Sequence, residues 1–377
     1  MDYNRKIKGA NVVFLVTVLV NFSLSILASI LALFGIDLFG GSVPLQLLIS
    51  QFVFVLPAAL YLICFSKDYS LLRLKKIKFV DIILCIVFYI CVSPVLTFLN
   101  LLSQLYSHNA IASIMYSISD EVPFVVGILL MAVIPAFCEE ATYRGLFYNT
   151  YREKFPLAAI ILSGLLFGLM HGNLNQFTYA FALGAVFALL VEATDSLWSS
   201  FTVHCMVNLF STVLLYALPK ALAFIQNLYN EALAEGDQMT ISLIEGAIGT
   251  DDLTVEGFMN AGTDLSKADL LKALPGYAIS AVIGGVLAFF ILRAIAKRCG
   301  RLEILKNIFT KKERLAEPQP VRYTVGDAIP DDFRNAEVPL TPAPVVKTKL
   351  FTWELIAAMV IMIIEMVATE ALYNIML

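Results

Sequence analysis

Nine stretches of this chain are apolar over a length that a membrane helix needs, and that one feature excludes most folds. They run 11–35, 44–65, 79–102, 122–152, 156–171, 176–193, 197–219, 274–296 and 350–376, measured against the roughly 20 apolar residues that cross a hydrocarbon core. Inside lipid every backbone N–H and C=O must find a partner within the protein, so runs of this length are helical. The fourth run ends in polar residues and the fifth and sixth are short, so boundaries are least defined there. Only 15% of residues are charged, against about 25% in a soluble domain, which leaves ample surface for lipid. The expected fold is all-α, a polytopic membrane helix bundle of eight or nine transmembrane helices. Its lipid-facing partner is the bilayer itself.

The basic start MDYNRKIKGAN precedes a run too long for the core of a signal peptide, so it reads as an uncleaved first helix. The six cysteines show no spacing suited to a disulfide framework or a zinc knuckle. A net charge of -4 gives no reason to expect a nucleic-acid partner.

Basic residues set the orientation. Arg5, Lys6 and Lys8 precede the first run; Lys67, Arg73, Lys75, Lys76 and Lys78 follow the second; Arg152 and Lys154 follow the fourth. Lys297, Arg298, Arg301, Lys306, Lys311, Lys312 and Arg314 follow the eighth. If nine helices alternate, all of these lie on one side, which puts the N-terminus in the cytoplasm. The acid-rich segment 220–273 falls on the other side. The chain divides into membrane helices 1–3 (1–121), a core of helices 4–7 (122–219), an acidic extracytoplasmic insertion (220–273), helix 8 (274–296), a cytoplasmic amphipathic segment and linker (297–349) and helix 9 (350–377). Apolar residues at helical spacing in 220–273 suggest short helices. Leu302, Ile304, Leu305, Ile308 and Phe309 suggest a surface-lying stretch, with a flexible Pro-rich linker after it.

Ionisable groups are costly in lipid, and each is a candidate for function. They concentrate in three runs. The fourth carries Glu139, Glu140 and Arg144, the fifth ends at His171, and the seventh carries His204 and Asn208. Counted from a turn near Phe155 at about 1.5 Å per residue, Glu140 and His171 reach the same level, roughly 22–24 Å up. Asn208 comes to a similar height if its helix starts near Leu197, so a site buried between helices 4, 5 and 7 is expected. Gly164-x-x-x-Gly168 would let a neighbouring helix approach closely on the face that His171 shares. Glu140 and Arg144 are i, i+4 and can pair; Glu139 points about 100° away. A carboxylate and an imidazole could activate a water while a His and Asn donate to the oxyanion. The same set, through His171 and His204, could instead hold one Zn²⁺ with an open position. The plainer alternatives are a structural Glu140–Arg144 tie and histidines that only link helices. Glu192 and Asp81 read as reaching the interface and His108 as solvated, while Glu365 and Glu370 receive no role.

Glu139-Glu140-x-x-x-Arg144, Phe167-x-x-x-His171 and His204-x-x-x-Asn208, with Gly184 and Ser196–Trp198 between them, resemble the motifs of the type II CAAX protease and bacteriocin-processing (CPBP) family. The likeness covers about 122–215. It implies an intramembrane endopeptidase acting on a membrane-associated peptide or protein. Glu139 would be the general base, His171 would hold the water, His204 and Asn208 would stabilise the oxyanion, and Glu140 and Arg144 would support the site. Within such a family the chemistry is either a metalloprotease's or that of a glutamate-activated water. The insertions and composition suggest a bacterial plasma-membrane protein. Two other classes stay open: a non-catalytic scaffold or bacteriocin-immunity protein on the same fold, and a transporter relaying protons. The clustering of charges in one layer disfavours the transporter.

Overall fold

A computed structural model describes residues 3–108, 121–248, 267–309 and 349–376. Among them all regular structure is helical: α1 Tyr3–Leu33, α2 Val43–Ser66, α3 Phe79–Ser103, α4 Phe124–Tyr151, α5 Pro156–Leu169, α6 Leu174–Thr194, α7 Leu197–Glu235, α8 Gln238–Ile248, α9 Lys267–Arg298, α10 Leu302–Asn307 and α11 Trp353–Met376. Eight are long and apolar enough to cross a membrane, and α5 is a shorter apolar helix. Each of the nine expected runs is therefore a helix. The protein is a multi-pass membrane helix bundle.

Local chemistry sets the breaks. Ser42 accepts from the Leu45 N–H, with Pro44 in the first turn of α2. Pro156 opens α5, where its missing N–H costs no hydrogen bond. Between α5 and α6 the chain reverses through Gly172 at φ +61°, a left-handed conformation that glycine adopts without strain. Asn173 then caps α6 by accepting from Gln176 N–H at 2.9 Å. α4 is not one regular helix: Leu129–Val133 and Ala141–Tyr148 are wound as π-helix, a rare form often found at functional sites.

The bundle is built around α6. More than half of its apolar window is buried, 56% against 17–28% in the other seven spans. α5 lies against it, as the glycine spacing predicts. A Cβ on Gly164 would stand 2.6 Å from Phe181 O and 2.9 Å from Ala185 N, and one on Gly168 would stand 3.1 Å from Phe181 N. The outer helices α1, α9 and α11 show lipid-suited faces, such as Val282, Ile283, Val286 and Phe290 on α9. α9 closes on α3 at Gly284, where a Cβ would meet Cys91 O at 2.4 Å.

Ion pairs gather the basic segments at one end. Lys6 pairs with Asp68 at 3.0 Å and lies 3.6 Å from Glu153; Lys8 lies 3.8 Å from Glu354. Arg298 pairs with Asp81 at 2.8 Å. Glu192 is wholly enclosed there. Its carboxylate accepts from Tyr148 Oη at 2.9 Å, from Arg152 at 2.6 and 2.8 Å and from Arg301 at 2.9 Å, with Arg73 at 3.6 Å. Beside it Asp195 pairs with Lys75, with Arg73 at 3.3 Å and Arg301 at 3.7 Å. Burial disfavours its charged form, but the Lys75 hydrogen bond, Arg73 and Arg301 outweigh that and hold its carboxyl below 3.8.

Glu192 and Asp81, read as reaching the interface, are 0% and 4% exposed, because basic residues distant in sequence come to them. Two readings change here. His108 is not merely solvated; its Nδ1 lies 2.6 Å from Glu370 Oε1. α7 does not stop near 219 but continues through Pro219 to a left-handed Gly236, so the first part of 220–273 extends a membrane helix. The rest of that insertion from 249 to 266, and the Pro-rich linker across 310–348, lie outside the described residues.

Candidate active site

Glu140 stands at the last α-helical position of α4 before the π segment Ala141–Tyr148, and Arg144 lies within that segment. Both are 0% exposed, and Arg144 Nη1 donates to Glu140 Oε1 at 2.8 Å. His204 Nδ1 lies 2.9 Å from the same oxygen. One carboxylate oxygen therefore joins α4 to α7. A carboxylate paired with arginine accepts, so Nδ1 carries the hydrogen and the ring turns Nε2 toward Glu139, whose Oε2 is 3.7 Å away. Glu139 is partly exposed, its side chain 14% accessible. That distance is long for a direct hydrogen bond, and a polar gap of this size is commonly bridged by water.

Arg144 is placed by α6. Its Nη2 donates to Gly184 O at 3.0 Å, and Gly184 is so close to α5 that a Cβ there would meet Gly164 Cα at 2.7 Å. Its guanidinium carbon also lies 4.5 Å from the Phe167 ring centre, 4.9 Å from Phe187 and 5.7 Å from Tyr143. Cations are held favourably over such faces, most where water is excluded. His204 stacks on Phe187 at 4.9 Å and meets Phe167 edge-on at 5.6 Å.

His171 ends α5. Its Nδ1 lies 2.8 Å from Phe167 O; a carbonyl can only accept, so Nδ1 bears the hydrogen and Nε2 is free to accept. Its ring touches Phe167 edge-on at 4.9 Å. Asn208 lies one turn beyond His204 on α7, partly buried, and its side chain has no hydrogen-bond partner among the described residues. The structure thus joins Glu140, Arg144 and His204 directly. Glu139 is next to them, His171 is linked through Phe167, and Asn208 stands apart from the network. Glu140 Oε2 and Arg144 Nε are buried without a partner among the described residues, and such atoms call for a water or ligand group.

Zinc needs three or four His, Cys, Asp or Glu donors. Among the described residues no three of these come together in a way that could hold a metal. Both Nδ1 atoms are engaged elsewhere, which leaves one Nε2 from each histidine and the Glu139 carboxylate, and these do not converge on one point. As arranged the donor set falls short of a zinc site, and no step below passes through a metal.

Sequence reasoning missed the aromatic seat of Arg144. Phe167 was visible as the first residue of its motif and Gly184 as a conspicuous small residue, but neither implied a role. Phe187 gave no signal apart from its three-residue spacing from Gly184.

Residues 121–210 match the family described as type II CAAX prenyl endopeptidase Rce1-like. All three motifs lie inside that match, and the likeness to the CPBP family stands for this segment. The Bacillus subtilis (strain 168) protein YdiL, a candidate membrane peptidase by its name, is 28% identical over 89 residues, which are 23% of this chain and 36% of that protein. The chain thus matches about a third of that relative's length. No solved structure matches the chain.

Proposed function

We propose that the chain is an intramembrane endopeptidase that hydrolyses peptide bonds of a membrane-associated protein or peptide with a water activated by Glu139. The observation that carries this reading is the Glu140 carboxylate. It holds Arg144 at 2.8 Å and His204 at 2.9 Å and leaves His204 Nε2 facing a second carboxylate, that of Glu139, at 3.7 Å. A purely structural tie between α4 and α7 would need only Glu140 and His204, with no second carboxylate beside Nε2. The peptidase descriptions of the matched family and relative point the same way.

In this mechanism Glu139 takes a proton from water as the hydroxide oxygen attacks the substrate carbonyl carbon. His171 Nε2 accepts the water's other hydrogen and orients it. The oxyanion receives the Asn208 amide N–H and, when both ring nitrogens of His204 carry hydrogen, its Nε2–H. Glu139 then passes its proton to the leaving nitrogen as the C–N bond breaks, so protons balance over one turnover. Preorganised donors of this kind supply the larger part of the acceleration in acyl transfer. Arg144, held by Gly184 and three rings, fixes Glu140 and through it His204.

The basic end is assigned to the cytoplasm by the excess of Lys and Arg there, and a bacterial plasma membrane fits the bacterial relative. The test uses purified protein in nanodiscs with internally quenched peptides ending in a CAAX sequence, with and without a farnesylated cysteine. Glu139→Gln should cut at least about 10²-fold more slowly than wild type, the typical worth of a general base, while unfolding at the same temperature. Equal cleavage by the variant would remove Glu139 from the chemistry. A biological activity that persists in Glu139→Gln would favour the non-catalytic scaffold.

A further inference from the structure

A crevice of about 170 Å³, lined by none of the residues of the proposed site, lies between α6, α9 and α10 at the basic end. Its walls are Leu189, Phe289, Leu292, Leu302, Leu305 and Phe309, and its remaining lining residues are Arg293 and Lys306. The two cations sit where helix geometry puts them at its rim. Arg293 follows Phe289 by one turn of α9, five residues before that helix ends, and Lys306 follows Leu302 by one turn of α10. α10 buries Leu305 and leaves Phe309, just past its end, 61% exposed, as an amphipathic segment on a membrane surface does. Arg293 is exposed and has no anionic partner among the described residues. Lys306 has only Glu303, whose side chain is 75% exposed.

We propose that this crevice binds an anionic phospholipid, one acyl chain entering between Leu189 and Phe289 and the phosphate held by Arg293 and Lys306. Charge selects this occupant. An uncharged lipid would leave a lipid-facing arginine unneutralised at headgroup depth, where basic residues are drawn to anionic headgroups. A peptide segment would have to satisfy its backbone groups against walls that are carbon. The bound lipid would brace α10 against α6, and α10 is joined by Arg301 to the buried Glu192.

The test measures lipid retention by native mass spectrometry. Full-length protein in detergent is titrated with phosphatidylglycerol or with phosphatidylcholine of the same chains. Phosphatidylglycerol should bind more tightly to the wild type. Each of Arg293→Gln and Lys306→Gln should weaken it about fivefold and the pair about 25-fold, from the usual worth of one basic residue near an anionic surface. Lys272→Gln, at the opposite end, should change nothing. Leu189→Trp, which fills the crevice and keeps every charge, should also reduce retention. Arg293 and Lys306 are exposed and their replacement leaves the interior untouched, so the proposal remains testable if Leu189→Trp fails to fold. Equal retention of both lipids, or wild-type affinity in the double variant, would overturn it.

Discussion

Replacing Gly184 by alanine probes the contact on which the proposed site rests. The new methyl would lie 2.7 Å from Gly164 Cα, 3.0 Å from Arg144 Nη2 and 3.1 Å from Phe167 Cδ1. Ordinary Cβ contacts begin near 3.4 Å, so the backbone of α5 would have to retreat by 0.7 Å, the difference between 2.7 and 3.4 Å. No rotamer change can relieve a clash with a Cα, so the helix itself must move. Helix propensity opposes this by favouring alanine by about 1 kcal/mol, whereas overpacking a well-filled interior costs about 1–3 kcal/mol. The expected net loss is about 1 kcal/mol, the midpoint of that balance. The effect on catalysis should be larger. Gly184 O is the anchor of Arg144 Nη2, so moving α6 shifts Arg144, Glu140 and His204 together, and misplacement by about 1 Å can cost about 10²-fold in rate. The assay pairs thermal unfolding in detergent, followed by a thiol-reactive dye reporting the buried Cys85, with the quenched-peptide cleavage rate. Gly285→Ala is the control: a Cβ there meets only Val95 Cγ2, at 3.6 Å, and stability should hold or rise. If Gly184→Ala unfolds no earlier than Gly285→Ala and cuts at the wild-type rate, the close approach of α5 and α6 does not position Arg144.

Glu192→Gln leaves Arg73, Arg152 and Arg301 facing one another without their shared anion; it should cost about 3–5 kcal/mol, as breaking a buried ion pair does, and trypsin should cut the basic end sooner. Asp195 has a folded-state value below its unfolded one, so its contribution is full above about pH 4 and is lost as pH falls through the lower folded value. The gap in unfolding temperature between wild type and Asp195→Asn should therefore close on acidification below that range, and a gap that widens would refute the assignment. Because the donors do not converge, a strong chelator should leave cleavage within about twofold, well short of the several kcal/mol a catalytic metal supplies; loss restored by zinc alone would require Glu139, His171 and His204 to close on one another during turnover.

Run length was enough to find nine of the eleven helices among the described residues, because a spanning helix needs only a run of carbon-rich residues and tolerates almost any order within it. The i, i+4 pairing of Glu140 with Arg144 was equally legible, being a local property of one helix. What the one-dimensional pattern lacked was rotation about each axis. Equal depth for Glu140 and His171 followed from counting residues, yet contact passed through Phe167, because whether two side chains meet depends on azimuth as well as height. The π-helical winding of α4 after Glu140 alters that azimuth and leaves no trace in residue spacing. The enclosure of Glu192 was not legible for a related reason: its partners Arg73, Arg152 and Arg301 lie in three different segments, and only the folded chain places them around one carboxylate.

The length of α7 carries a consequence of its own. At about 1.5 Å per residue its 39 residues extend about 58 Å, while a hydrocarbon core is about 30 Å thick. Starting at the basic end, the helix crosses the membrane and still has nearly half its length left over. That remainder, with Pro219 near its base and clasped by α8 where Tyr229 Oη donates to Glu245 at 2.8 Å, is a mast rising from the same rod that carries His204 and Asn208. Anything bound at its tip is therefore joined to His204 and Asn208 through one continuous helix.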